Sequence, residues 1–518
     1  MDDRQPGSTA EVPVTTTGTG AGLPTVGRNE FKIVLLLCAL AAVHVFVFAA
    51  AFPFFNNVDE PIHFDLVLRY AHGQAPHRLE RVLPETVEYV AFFNSWAYYA
   101  APVEYPGGQL PPPPWTEPPD KERQDFQANC QRWQSLENYE FSQAPLYYAA
   151  AGLWWDVGRC LGIHRGRLLY WLRFFNILEV VVLVWLSYAI ARIVFPDNSF
   201  MRLAVPALVT VLPQTAFYSI GNDVLPALCF GATFLFLLKW IRSGHSPILA
   251  TMTGIAFAAT YLSKSTTLPL LAAIVALALF HVRKLTKEKK SVAPWSSFAA
   301  FFCCSVTPIL GWMIWSKVRT GDFTGAAAKM QHFGWTLKPI AEWPHHPIFT
   351  PTGFWTYVSG QLSTFWQGEF QWHQQPLMLP GSSVVYTLFT LFLLVVAAPS
   401  LSTKNSNTTS LQRQALSLGF ICFAAGMVFF AFTSIIYDFH DCPYPSRQHP
   451  YFTSGRLLLG ALIPFLILAA CGINRILNRF GMTARFLVLA TIILLILGSE
   501  IVTDRQVFLD PYNWYHLP

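Results

Sequence analysis

The stretch Asn57-Val58-Asp59-Glu60-Pro61-Ile62-His63-Phe64 brings two acids and an imidazole within a few residues of one another. If Pro61 opens a short helix, Glu60 falls at its N-cap and His63 lies one turn in. Asp59 and Glu60 are then four and three residues from His63, so the three groups can converge on one side. Two carboxylates buried together are costly unless paired, protonated or bound to a cation. That chemistry suits removal of a proton from a hydroxyl. It also suits a divalent cation, Mg or Mn, with Glu60 and His63 as candidate ligands. The bland alternative is a solvated helix start, where acids favour the N-terminal dipole.

The elements that must position this octet are apolar. The chain is 53% hydrophobic and 13% charged, about half the charge of a soluble protein. Mean hydropathy is +0.36, so the expected class is an all-α polytopic membrane protein with no large soluble domain. The net charge of +5 is small and no basic stripe with interleaved aromatics occurs, which argues against a nucleic-acid partner. At roughly 20 apolar residues per span, about eleven spans are expected. They cover 31–54, 168–194, 202–219, 223–241, 248–263, 266–282, 296–316, 384–400, 414–436, 455–473 and 484–502. Residues 1–27 are rich in Thr, Gly and Pro, and the first 30 residues read as a disordered cytoplasmic tail. The first apolar run lacks a small-residue cleavage site and reads as a retained helix. The membrane domain then covers 31–503, with 504–518 as a short outer tail.

Positive charge sets the orientation. With the N-terminus cytoplasmic, Arg192, Arg202, Lys239, Arg242, Arg283, Lys284, Lys287 to Lys290, Lys404, Arg413, Arg475, Arg479 and Arg485 all fall inside. The pattern holds only if 145–162 is not a span. Its Trp154-Trp155, Asp156 and Arg159 suit a juxtamembrane helix on the outer surface. Two long outer loops result, 55–167 and 317–383, the second dense in aromatics that include Trp335, Trp343, Trp355, Trp366 and Trp372. Such rings stack on sugars or anchor loops at the headgroups. Of nine cysteines, Cys130 and Cys160 share the first outer loop, which allows a disulfide between them.

Further polar residues gather at the outer ends of spans: Arg173, Asn222-Asp223, Lys264 and Arg456. Cations beside a lipid layer suit a phosphate, Arg as a planar fork and Lys as a point charge. Each has a bland reading: Asp223 as a helix cap, Lys264 and Arg456 snorkelling to the headgroups. Their clustering on one side, with Asp59 and Glu60, favours a site.

This layout resembles the GT-C superfamily of integral-membrane glycosyltransferases. Those proteins carry an acidic motif after the first helix, then a Pro-Leu-Tyr-Tyr-like juxtamembrane segment, then a second acid after the third helix. Here these are Asp59-Glu60, Pro145-Leu146-Tyr147-Tyr148 and Asp223. More closely, the chain is similar to a bacterial family of polytopic membrane proteins related to that superfamily. Its pattern is Asp-Glu-Pro-x-His-Phe, Asn-Asp-x-Leu, Ser-Lys, Phe-Trp-x-Gly and Gly-Arg-Tyr-Leu. The matching segments here are Asp59 to Phe64, Asn222 to Leu225, Ser263-Lys264, Phe365 to Gly368, and Gly455-Arg456-Leu457-Leu458, which lacks the tyrosine.

The resemblance implies a GT-C-like fold in the bacterial inner membrane, its active site facing the periplasm or exterior. It implies inverting transfer of a sugar from a polyprenyl-phosphate-linked donor to a glycan, lipid or protein acceptor. Asp59 would be the general base, and the further catalytic residues Glu60 and Asp223, with His63, would orient the acceptor or hold a divalent cation. His63, Arg173, Asn222, Lys264, Trp366 and Arg456 would bind substrate. Two other readings stay open. A transporter or flippase would need broken helices in paired repeats. An outer-face polysaccharide polymerase or ligase would draw on His345, His346 and His373.

Overall fold

A computed structural model describes residues 28–57, 59–96, 100–243, 246–287, 295–402 and 408–517. Residues 1–27 of the expected tail, Lys289, Lys290 and Lys404 lie outside the described residues. The chain is built from helices. In order they are α1 (Arg28–Ala51), α2 (Glu60–Ala71), α3 (Pro84–Phe93), α4 (Pro119–Trp133), α5 (Leu146–Cys160) and α6 (Arg165–Arg173). Next come α7 (Phe175–Val194), α8 (Ser199–Thr210), α9 (Val224–Arg242), α10 (Pro247–Ser263), α11 (Leu268–Lys287) and α12 (Trp295–Thr320). The last six are α13 (Ala326–His332), α14 (Pro351–Gln367), α15 (Ser382–Ala397), α16 (Ser410–Ile436), α17 (Leu462–Ile476) and α18 (Met482–Asp504).

Among the described residues, eight helical stretches are long and apolar enough to cross a membrane. They correspond to α1, α6–α7, α9, α12, α15, α16, α17 with its flanking turns, and α18. The other expected spans fall on shorter apolar helices: α8, α10 and the stretch 265–280. The expected span 202–219 is broken. Its helix stops at Thr210, Pro213 has no N–H to continue it, and a 3-10 turn follows at Thr215–Tyr218. Between them Gln214 Nε2 donates to the Thr364 and Phe365 carbonyls, at 3.1 and 2.8 Å. The expected tail also ends sooner, because Arg28 to Glu30 are helical and Glu30 is gripped by both arms of Arg202, each at 2.7 Å.

That ion pair, with Ser199 beside Met482, joins the starts of α1, α8 and α18. Farther along, His44 reaches the Thr210 carbonyl at 3.0 Å and Glu500 at 2.8 Å, so the three helices run in one direction. Loop one folds over the far end of this bundle around its own core of Phe54, Phe64, Trp155 and Tyr170. α5 buries Tyr147, Tyr148, Ala151 and Trp155 and leaves Leu153, Val157 and Leu161 exposed on its other face. That two-faced pattern fits a helix lying along a membrane surface. The C-terminal residues close over the same end, where the Tyr512 hydroxyl donates to the Pro111 and Pro112 carbonyls. Loop two is tied down by a two-stranded antiparallel pair, Thr336–Leu337 with Tyr437–Asp438. Cys130 and Cys160 are both free thiols, so the disulfide that the shared loop allows is not formed.

Candidate functional site

The site is centred on Arg456. Gly455 lets it in: a Cβ there would lie 2.0 Å from the Phe365 backbone nitrogen, so only glycine allows the 3-10 turn Gly455–Ala461 to press against α14. Arg456 Nη2 then sits 3.1 Å from Asp59 Oδ2, Nη1 3.2 Å from Asp223 Oδ2, and Nε 3.3 Å from Glu369 Oε2. Lys264, at the break between α10 and α11, pairs with the other oxygen of Asp223. Segments hundreds of residues apart thus meet around one guanidinium.

Asp59 is the N-cap of α2, which begins one residue earlier than expected, and its φ of 63° is left-handed. Such a conformation is uncommon outside glycine and marks a residue held by its surroundings. The holders are Arg456 and the Tyr139 hydroxyl, which donates to Asp59 Oδ1 at 2.7 Å. Asp223 is the N-cap of α9 yet makes no side-chain cap bond. Its carboxylate turns to Lys264 and Arg456 instead, so neither the capping nor the snorkelling reading describes these residues.

Glu369 is the member that sequence reasoning missed. Gly368 positions it: φ is +79°, and a Cβ there would meet Thr215 Oγ1 at 2.0 Å. Glu369 Oε1 is buried without a donor. The one signal was its place directly after the Phe365 to Gly368 motif. A second layer was also missed. Lys329 of α13 pairs with Glu140, and Gln143 donates to the same carboxylate at 2.5 Å.

The electrostatics separate the acids. Burial raises Asp59, but the charges of Arg456, Lys329 and His63 and the Tyr139 hydroxyl bring it net well below the ordinary aspartate value. Burial likewise opposes Lys264 and Arg456 at Asp223, and the cations prevail, lowering it. At Glu369 burial wins over Arg456, and the carboxyl is raised. His63 donates to or accepts from the Tyr148 hydroxyl at 2.7 Å, and burial pushes it down to about 4 despite Glu140 and Asp59. It edges the cluster, since a Cβ on Gly221 would stand 3.5 Å from its ring and 3.7 Å from Asp223.

Other expected site residues lie elsewhere. Glu60 turns away from Asp59 and accepts from Phe55 N and Ile220 N, each at 2.9 Å, and from Arg173 Nη2 at 2.7 Å. Arg173 also donates to the Ala49, Phe52 and Pro53 carbonyls, covering the C-terminal end of α1. Glu60 and Arg173 therefore hold the frame that sets Asp59 against Asp223. Asn222 lies behind the cluster, donating to Gln143 and the Ser263 carbonyl, at 3.1 and 3.4 Å. Trp366 is buried, its indole donating to Thr390 at 2.8 Å, because α14 packs into the bundle. His346 spends both ring nitrogens on backbone groups, and His345 binds the Ala341 carbonyl. His373 leaves the strand Gln371–Trp372 with a φ of 54° and stacks edge-on against Trp372.

Glu60 and His63 do not form a ligand pair, since each is drawn to its own partners. Among the described residues no three His, Cys, Asp or Glu groups come together as a metal-ligand set. A divalent cation remains compatible with the acid-rich cluster.

No curated protein matches the chain. Sixteen chains of solved structures match it, among them the following two. One is the oligosaccharyltransferase of Archaeoglobus fulgidus in complex with Zn and sulfate, at 12% identity and a TM-score of 0.43, covering 90% of this chain and 53% of that one. The other is arabinofuranosyltransferase AftD from Mycobacteria, at 12% identity and a TM-score of 0.40, covering 92% of this chain and 27% of that one. The chain thus spans about half the length of the first and about a quarter of the second. The family model described as "Predicted membrane protein (DUF2142)" matches residues 43–437, and the chain belongs to that family.

Proposed function

We propose that the chain transfers a sugar from a polyprenyl-phosphate donor to a hydroxyl of a glycan, lipid or protein acceptor. The observation that carries this reading is the meeting of Asp59, Asp223 and Glu369 on Arg456, beside Lys264. Carboxylates can take a proton from an attacking hydroxyl, and fixed cations can hold a departing phosphate. The resemblance of the sequence motifs supplies the reaction class. The basic ends of the helices support a site on the non-cytoplasmic face of the bacterial inner membrane.

Asp59 takes the acceptor's proton as the acceptor oxygen bonds to the anomeric carbon. The bond from that carbon to the phosphate oxygen breaks on the opposite side, and its electrons leave with the phosphate. Inversion follows from that geometry. Arg456 and Lys264 stabilise the charge that develops on the phosphate, which needs no acid because it is a weak base. His63 with Tyr148, and Tyr139, hold the acidic rim in place.

Deletion of the gene is expected to make one polyprenyl-phosphate sugar accumulate, and the wild-type gene to clear it. Asp59→Asn, expressed and inserted at wild-type level, is expected not to clear it. Full clearance by that variant would remove Asp59 from the role of base.

A further inference from the structure

We propose that the Asp223 carboxylate occupies the donor's phosphate subsite in the resting protein, and that the arriving phosphate displaces it and so releases Asp59 to act as base. This rests on the transferase reading and specifies the order of events within it. Asp223 bridges two cations with its two oxygens, Oδ1 on Lys264 and Oδ2 on Arg456 at 3.2 Å. Two unesterified oxygens of a phosphodiester bridge a lysine and an arginine in the same way. No other cation contacts Asp223 among the described residues, so Asp223 and a phosphate must compete for the same pair.

The same guanidinium holds Asp59. While Nη2 is engaged there at 3.1 Å, Asp59 is a poor proton acceptor, because Arg456 is the largest of the charges that stabilise its ionised form. A phosphate drawing Arg456 toward itself removes that stabilisation. The basicity of Asp59 therefore rises only with donor in place. Glu369 completes the balance. Three acids face two cations at the centre, and the buried Oε1 of Glu369 has no donor. Through Nε, Glu369 claims a share of the same guanidinium at 3.3 Å and so competes with an arriving phosphate for it.

The test is binding of farnesyl phosphate to the full-length protein in nanodiscs, with farnesol and inorganic phosphate as the two half-probes. Wild type is expected to bind farnesyl phosphate more tightly than either half. Arg456→Gln is expected to weaken binding about tenfold or more, and Asp223→Asn to tighten it about tenfold. Glu369→Gln, which leaves Asp223 and Lys264 in place, is expected to tighten it by a smaller factor. Glu140→Gln removes a nearby negative charge held by Lys329 and Gln143, and is expected to change binding little.

Equal or weaker binding in a folded Asp223→Asn, or in Glu369→Gln should Asp223→Asn not fold, overturns the competition while leaving the phosphate site standing. Tightening in Glu140→Gln as large as in Asp223→Asn also overturns it, since the effect is then a general field. Failure of wild type to bind farnesyl phosphate, or binding no better than that of inorganic phosphate, overturns the donor reading itself.

Discussion

Two buried charge groups lie side by side in this protein, and residue types alone do not tell them apart. Glu60 with Arg173 is one; Asp59, Asp223 and Glu369 with Arg456 is the other. In the first, one acid meets one base and the remaining bonds go to backbone groups at the end of α1 and at Ile220, with Arg173 Nε alone left without an acceptor. In the second, one guanidinium is divided among three acids, Asp59 sits at a left-handed φ, and Glu369 keeps an oxygen without a donor. A matched group has little to gain from a ligand. An over-subscribed one has partners to exchange, which is the property a site needs.

The sharpest way to break this contrast is to change one acid in each group. Asp59→Asn is expected to cost roughly 10²- to 10⁴-fold in transfer rate with little change in thermal unfolding, since Asn also tolerates the left-handed region. Glu60→Ala is expected to do the reverse. Removing one partner of a buried pair costs roughly 3–5 kcal/mol, read as a lowered unfolding midpoint and a smaller folded yield, with normal activity per folded molecule. A Glu60→Ala protein that folds normally and is inactive would invert the assignment.

The pH dependence sharpens it further. His63 is lowered from 6.5 to about 4, so the folded protein resists its protonation. The stability it contributes is complete above pH 6.5 and is lost as pH falls toward 4, by about 3 kcal/mol in all. Unfolding followed across that window should flatten in His63→Asn. A smaller effect is expected at Glu369, whose carboxyl is raised. The cost of its buried charge is present above its raised range, fades as pH falls through that range toward the ordinary value of 4.5, and is gone below it. Glu369→Gln is therefore expected to raise the unfolding midpoint at neutral pH and to leave it unchanged in acid. A lowered midpoint at neutral pH would place Glu369 in the matched class.

Much of the site was legible because membrane helices expose their ends. Asp59, Asp223, Lys264 and Arg456 each border an apolar run, so counting runs put all four at one end of the bundle, where they meet. Glu369 borders no run, and it enters the site only because Gly368 turns the chain beside Thr215. Tyr139, Glu140 and Lys329 come from loop positions with no periodicity to mark them. The resemblance implies a substrate contact for Trp366; α14 instead packs it inward, an outcome of tertiary contacts. The span 202–219 looked continuous because hydropathy averages over the break after Thr210, where Pro213 keeps the helix from resuming.

Composition and the spacing of apolar runs determined by themselves that this is a many-helix membrane protein with acids and cations gathered at one end. The reason is that hydrocarbon leaves the backbone few options and charge fewer still. Which acid faces which cation was decided only by the folded chain. Pairing depends on distances of about 3 Å between residues far apart in sequence, and a one-dimensional pattern carries no such distances. Asp59 and Glu60 are neighbours of the same chemistry, yet the turn between α1 and α2 sends one to Arg456 and the other to Arg173.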